Sequence, residues 1–280
     1  MPLTVPSSLS VSVAAHDLGG DGAVLLLAHG TGLHGRLFEP FVRHLEGFHA
    51  WAPDLRGHGD SSLPEDLHFA WGGFADDIAA VVAEIGDGVP IFGFGHSMGS
   101  AASLLAEARK PGTFRALYCY EPIVIPPFLD ATPEQQSRFR EATRRRRRSF
   151  PSVETAFENY SAKPPFNAFE DDFLRSYIEH GFEFRSDDSI RIKMDPDHEA
   201  LVYEMNSEHP TYDLLPEIRC PVAVARGRIE PGPSQWAETV VSRLPDARLE
   251  PFDDLGHMGP FEDSKRVAEA ASTFFAEAGG

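Results

Sequence analysis

Hydrophobic and polar positions along the chain fall into two alternating rhythms. "LSVSVAAHDL" (9–18) alternates with period two, as a half-buried strand does. "AVLLLAHG" (23–30) opens with a short unbroken apolar run, the pattern of a strand buried on both faces. Phe38, Phe41, Val42 and Leu45 then recur at helical spacing, and "FHAWAPD" (48–54) reads as the next strand. Phe74, Ile78, Val81, Val82 and Ile85 form a second helical stripe. "VPIFGFG" (89–95) is a strand again, followed by a helix from Ser97 and the strand "RALYCY" (115–120). The rhythm returns late in the chain. "PVAVARG" is a strand, "SQWAETVVSRL" a helix, "ARLEPF" a strand, and Phe261 to Glu277 a closing helix. Strands alternating with helices predict βαβ units and a mostly parallel sheet covered by helices on both faces.

Residues 122–215 break this rhythm. Proline is dense at both borders, and four segments read as helices: "PEQQSRFREATRRRRRSF", "VETAFENY", "DDFLRSYIEHGF" and "HEALVYEMN". The expected organisation is a core domain from 1–121 and 216–280, with 122–215 inserted as a mainly helical cap over the carboxyl edge of the sheet. Ligands bind at that edge in open α/β sheets.

Composition narrows the function classes. The 280 residues are 42% hydrophobic, enough for a sizeable core. No apolar run reaches the ~20 residues that span a bilayer. The first residues lack the basic and apolar regions of a secretory signal, and two cysteines make no disulfide framework, so a reducing cytoplasm is expected. A net charge of −18 disfavours nucleic acid and anionic membranes as partners; the expected partner is a small-molecule substrate. The run Arg144 to Arg148 dissents. It reads as a solvated helix face beside carboxylates, with an anion site as the alternative.

The chemistry centres on "GHSMG", Gly95 to Gly99, set between an apolar strand and an amphipathic helix. A strand turning directly into a helix strains the corner residue and tolerates only small neighbours. Ser97 is therefore expected to stand exposed above the sheet. A hydroxyl needs a base to become a nucleophile. Among 12 histidines, His257 has the best placement, in "DDLGHMGPFEDS" between the last strand and the last helix. His96 and His58 read as packing residues, and His29 as a brace for its loop. "HGTG" (29–32) follows a strand and offers the Thr31 amide, beside that of Met98, to a developing oxyanion. No CxxC pair, HExxH or phosphate loop is present, so no metal or organic cofactor is expected.

"HGTG", "PDLRGHGDSS", "GHSMG" and "LGHMGPFEDS", in this order, resemble the α/β-hydrolase superfamily of serine hydrolases over residues 10–121 and 216–280. The resemblance implies an eight-strand-type sheet, a capped esterase- or lactonase-like enzyme and a triad acid. Serine at the nucleophile position sets the chain apart from the epoxide-hydrolase and haloalkane-dehalogenase branches, which use aspartate. The family's usual acid position reads Gly227-Arg228-Ile229-Glu230, with glutamate in place of aspartate. Glu121, closing "RALYCYEP", is the second candidate, and Asp253 or Asp254 stand next in line. Either glutamate keeps the chain order serine, acid, histidine.

The expected reaction is hydrolysis of a carboxylic ester or lactone through a Ser97 acyl-enzyme. Tyr160, Phe166, Phe169, Tyr177 and Tyr203 of the cap offer contacts for an aromatic or lipophilic substrate, although core packing accounts for the same residues. Two alternatives stand beside it. One is carbon–carbon bond hydrolysis of β-diketone-type compounds, or cofactor-free peroxidase chemistry. The other is a low-turnover ligand-binding protein on the same fold.

Overall fold

The computed structural model describes residues 1–127, 133–205 and 209–279. An eight-stranded sheet forms the centre, in the order β1-β2-β4-β3-β5-β6-β10-β11. Its strands are β1 (Leu3–Pro6), β2 (Ser12–Gly19), β3 (Ala23–Ala28), β4 (Phe48–Asp54), β5 (Ile91–His96), β6 (Phe114–Tyr120), β10 (Val222–Arg226) and β11 (Ala247–Pro251). β1 and β2 run antiparallel, and every pairing from β4 to β11 is parallel. β3 shows how the pattern builds the layers. Leu25 and Leu27 enter one core cluster, with Phe41 and Phe275, while Leu26 and Ala28 enter the other, with Ile78 and Leu104. Period-two alternation sends successive side chains to opposite faces, and helices cover both.

Those helices are α1 (Glu39–Val42), α2 (Trp71–Ile85), α3 (Met98–Arg109), α9 (Ala237–Val241), α10 (Gly259–Glu262) and α11 (Ser264–Gly279). Three stripes read as single helices are shorter or divided. The Phe38–Leu45 stripe is a 3₁₀ turn followed by four residues of α1, where Pro40 enters the first turn. "SQWAETVVSRL" likewise divides into a 3₁₀ turn and α9. The closing helix is interrupted at Asp263, whose φ of −146° is extended.

Between β6 and β10 lie α4 (Pro133–Arg144), α5 (Val153–Ser161), α6 (Asp171–Gly181), α7 (Pro196–Glu204) and α8 (Thr211–Leu214). This region is not purely helical. β7 (Ser149–Phe150), β8 (Phe182–Phe184) and β9 (Ile190–Ile192) make a small antiparallel sheet in the order β7-β9-β8. Phe150, Phe182, Ile190 and Ile192 are buried there, at strand rather than helix spacing. The arginine run is also not a helix face. α4 ends at Arg144, and the chain from Arg145 turns toward β7. Residues 128–132 of the insertion, and Asn206 at the end of "HEALVYEMN", lie outside the described residues.

Candidate active site

β5 ends at His96, α3 begins at Met98, and Ser97 alone makes the corner, with φ 56° and ψ −117°. A non-glycine residue pays about 1–3 kcal/mol for such backbone geometry. The flanking glycines are required by space. A Cβ at Gly95 would lie 2.5 Å from the Ser100 Cα, and one at Gly99 would lie 2.3 Å from the Ala28 carbonyl oxygen. The Ser97 amide is tied to the Tyr120 carbonyl at 2.9 Å, so β6 holds the corner in place.

His257 lies in the loop after β11. Its backbone carbonyl accepts from His96 Nε2 at 2.9 Å, and the neighbouring Gly256 carbonyl accepts from the Tyr120 hydroxyl at 2.9 Å. The loop is thereby fastened to the ends of β5 and β6. Ser97 Oγ donates to His257 Nε2 at 3.1 Å, and His257 Nδ1 donates to Glu121 Oε2 at 2.6 Å. The second Glu121 oxygen accepts the Gly227 amide at 2.8 Å. Glu121 is 2% exposed and has φ 44°, a second strained residue at the same sheet edge. A buried carboxylate is tolerated only when its oxygens find partners, and Glu121 has one for each.

Glu230 is not at this site. It pairs with Arg228 on a half-exposed surface, and its backbone is tied to Ser234. In the Gly227–Glu230 loop the Glu230 carboxylate turns to that arginine, while the Gly227 amide, just after β10, donates to the Glu121 carboxylate. Asp253 pairs with Arg226, and Asp254 with Arg266. The carboxylate beside His257 is Glu121.

The loop after β3 packs directly on the serine corner. A Cβ at Gly30 would come within 3.0 Å of the Ser97 Cβ. The Thr31 hydroxyl donates to the Met98 sulfur at 3.3 Å, which places these two residues side by side at the start of α3. Two histidines hold the loop from below. His29 Nε2 accepts the Leu55 amide at 2.9 Å, and His58 Nε2 accepts the Gly32 amide at 3.1 Å. Their other ring nitrogens donate to the Gly30 and Arg56 carbonyls, so each ring is neutral with its proton on Nδ1. His34, which caps the 3₁₀ turn before α1, accepts the Leu37 amide.

Burial lowers the pKa of His29 to about 3, and those of His34 and His58 to about 4. The unfolded chain protonates histidine near 6.5. Below that pH the unfolded state therefore binds protons that the fold refuses. Stability is full above pH ~6.5 and declines as the pH falls toward 4, by up to about 1.4 kcal/mol per pH unit for each histidine. The urea midpoint is expected to drop steadily between pH 7 and 4.5, and a flat profile would contradict the neutral assignment.

Above the triad-like group lies a cavity of about 1270 Å³. Its walls combine Thr31, Ser97, Glu121 and His257 with Tyr160, Phe166 and Tyr203 of the insertion. Phe169 is not in the wall. It is 8% exposed and packs on Phe166 and Phe261 as part of the core. Tyr177 is also core, stacked on His34 and hydrogen-bonded to Arg146. Trp71, Trp236 and Arg145 to Arg147 line the cavity too, and the sequence pattern did not mark these tryptophans. Arg146 is the surprise of the arginine run. Its guanidinium bonds Glu199 and Tyr177 and lies about 6 Å from the ring centres of Tyr160 and Phe166. Burial raises the Glu199 pKa, while Arg146 pulls it back. This pair abuts Gly32, where a Cβ would meet Glu199 Oε1 at 2.5 Å.

His16, Asp54 and Asp60 form the one cluster of potential metal ligands among the described residues. Asp54 is already committed to the His16 ring and to the Gly35 and Asp60 amides, a bracing arrangement under the loop after β4.

Residues 25–270 match the model of the alpha/beta hydrolase family. The human monoglyceride lipase is 28% identical over 163 residues, which cover 50% of this chain and 51% of that protein. The chain thus spans about half the length of that curated relative. Among solved structures, the peroxisomal alpha-beta-hydrolase Lpx1 of Saccharomyces cerevisiae superposes with a TM-score of 0.79 at 18% identity, over 95% of this chain and 81% of that one. The esterase EaEST of Exiguobacterium antarcticum superposes with a TM-score of 0.75 at 18% identity over the full length of both.

Proposed function

The chain belongs to the alpha/beta hydrolase family, and from that premise we propose that it hydrolyses carboxylic esters or lactones through a Ser97 acyl-enzyme. The observation that carries this reading is the unbroken hydrogen-bonded line from Ser97 Oγ through His257 to Glu121. Its relationship to a monoglyceride lipase supports an ester substrate.

In this mechanism Ser97 Oγ attacks the carbonyl carbon as its proton passes to His257 Nε2. Glu121 holds Nδ1–H, fixes the tautomer that leaves Nε2 free to accept, and stabilises the imidazolium. The carbonyl oxygen becomes an oxyanion, facing the amides of Thr31 and Met98. Neither amide donates a hydrogen bond to another described group. Collapse of the tetrahedral intermediate expels the alcohol oxygen, which takes the proton from His257. Water then attacks the acyl-enzyme, gives its proton to His257, and releases the acid and Ser97. The aromatic walls from Tyr160, Phe166, Tyr203, Trp71 and Trp236 suit an apolar portion of the substrate. Cytoplasmic residence fits Cys119 and Cys220, both free and buried, and no helix among the described residues is long and apolar enough to cross a membrane.

A serine-directed fluorophosphonate tests this directly. It is expected to add one label per chain, at Ser97, and to block turnover of a p-nitrophenyl ester in proportion to labelling. Turnover that survives complete Ser97 labelling would refute the acyl-enzyme. An unlabelled, inactive protein would favour the ligand-binding alternative.

A further inference from the structure

The cavity above Ser97 has a cationic wall in a protein whose overall charge is −18. Five cations line it: Arg145, Arg146, Arg147, Lys163 and Arg228. Three carboxylates line it as well, and each is engaged. Glu121 holds His257, Glu199 holds Arg146, and Glu230 holds Arg228. Arg145 has a long 3.3 Å contact with Glu141 on the surface. Arg147 and Lys163 have no carboxylate partner among the described residues. Arg147 donates Nε to the Ser149 carbonyl at 2.8 Å, and its guanidinium lies 4.6 Å over the Phe150 ring. Lys163 donates to the Asn159 side-chain oxygen at 2.7 Å. Both cations are thus steered by neutral groups and keep their charge uncompensated. They lie just past the ends of α4 and α5, where basic residues also complement the helix dipoles.

Arg147 and Lys163 are exposed residues at the solvent-facing part of this cavity's lining, and uncompensated cations at the mouth of a cleft attract anions. We propose that the substrate carries an anionic group, a carboxylate or a phosphate, at the end remote from the scissile ester, and that Arg147 and Lys163 receive it. This rests on the ester-hydrolase reading and narrows its substrate class. The ester carbonyl sits at Ser97, the apolar middle lies along Tyr160, Phe166 and Tyr203, and the anionic end reaches the arginine turn. Arg146 sits between the two regions, so its bond to Glu199 keeps a third guanidinium from competing for the same anion.

The test compares two probes of similar length, 4-nitrophenyl hydrogen glutarate and neutral 4-nitrophenyl pentanoate. The ratio of their kcat/KM values should favour the anion in the wild type. It should fall about tenfold in Arg147→Gln/Lys163→Gln, the loss expected for one charge-assisted contact. The same ratio should be unmoved in Lys265→Gln, a remote exposed cation. It should shrink with added salt, since the Debye length contracts to about 8 Å at 0.15 M. Competition by glutarate against inorganic phosphate separates the two headgroups. Calorimetry with Ser97→Ala protein gives a readout free of turnover, in which the glutarate ester should bind more tightly than the pentanoate, and lose that advantage when Arg147→Gln and Lys163→Gln are added. Retained binding preference with no ester turned over by wild type would sink the hydrolase reading and leave the anion site standing. Turnover with equal preference for both probes, unchanged in the double variant, would overturn the anion site.

Discussion

Ser97→Ala is expected to fold as the wild type does and to lose ester turnover by about 10⁶-fold in kcat. The fold should survive because alanine keeps the Cβ, so the strain at φ 56° is unchanged, and the Ser97 amide keeps its bond to Tyr120. The hydroxyl itself contributes one bond, to His257. Under the proposed mechanism, removing it eliminates the nucleophile, while the Thr31 and Met98 amides proposed to face the oxyanion are left unchanged. A residual rate above the uncatalysed reaction is therefore expected, on the order of 10³–10⁴-fold. His257→Ala should be comparably severe. Combining the two should add little, because the serine and its base act as a unit. Steady-state kinetics with a p-nitrophenyl ester, on protein whose unfolding midpoint matches wild type, decides the matter. Wild-type turnover by folded Ser97→Ala would reject Ser97 as nucleophile.

The serine corner was legible because its constraints are local. A strand of apolar residues, a serine flanked by glycines and a following amphipathic helix admit few backbone paths, and Gly95 and Gly99 occupy spaces that no Cβ could enter. The parallel sheet was legible for a similar reason, since Leu25 to Ala28 must face apolar neighbours on both sides. The first strand, β1, escaped notice: only four residues long, it pairs at the sheet edge and buries mainly Val5. The insertion was harder. Short strands such as β7 and β9 bury alternate residues over two or three positions, too few for a period to emerge.

The arginine run shows a different limit. Its composition suggests a solvated helix, and solvation is what an isolated segment of five arginines would choose. In the fold, Glu199 lies 53 residues downstream and Tyr177 lies 31 downstream of Arg146. Those long-range partners draw one arginine out of five into the protein and leave Arg147 facing the cavity. Nothing in the run distinguishes Arg146 from its neighbours. The tryptophans of the cavity, Trp71 and Trp236, carry the same lesson. Trp71 donates its indole N–H to the Val202 carbonyl and stacks on His209, partners supplied by the distant insertion.

Replacing each candidate acid by its amide should separate them widely: Glu121→Gln is expected to lower kcat by about 10⁴-fold, and Glu230→Gln to leave it near the wild-type value. The reason lies in how the two oxygens of Glu121 are used. Oε1 accepts the Gly227 amide and Oε2 accepts from His257 Nδ1. A glutamine can satisfy Gly227 with its carbonyl oxygen only by turning its NH₂ toward Nδ1. That NH₂ demands an acceptor, so the imidazole must move its proton to Nε2, where it points at Ser97 and can no longer receive the serine proton. The imidazolium formed during attack would also lose its counter-charge. Glu230 offers no such coupling, since it pairs with Arg228 at the surface and its side chain is 52% exposed. An exposed pair of this kind is worth at most ~1 kcal/mol to stability. The deficit in Glu121→Gln should appear in kcat far more than in KM, because substrate binding does not use the acid. Matching unfolding midpoints would separate lost chemistry from lost structure at this buried, strained position. A severe Glu230→Gln and a mild Glu121→Gln would return the acid to the loop after β10, and would require that loop to carry Glu230 away from Arg228 to His257 during turnover.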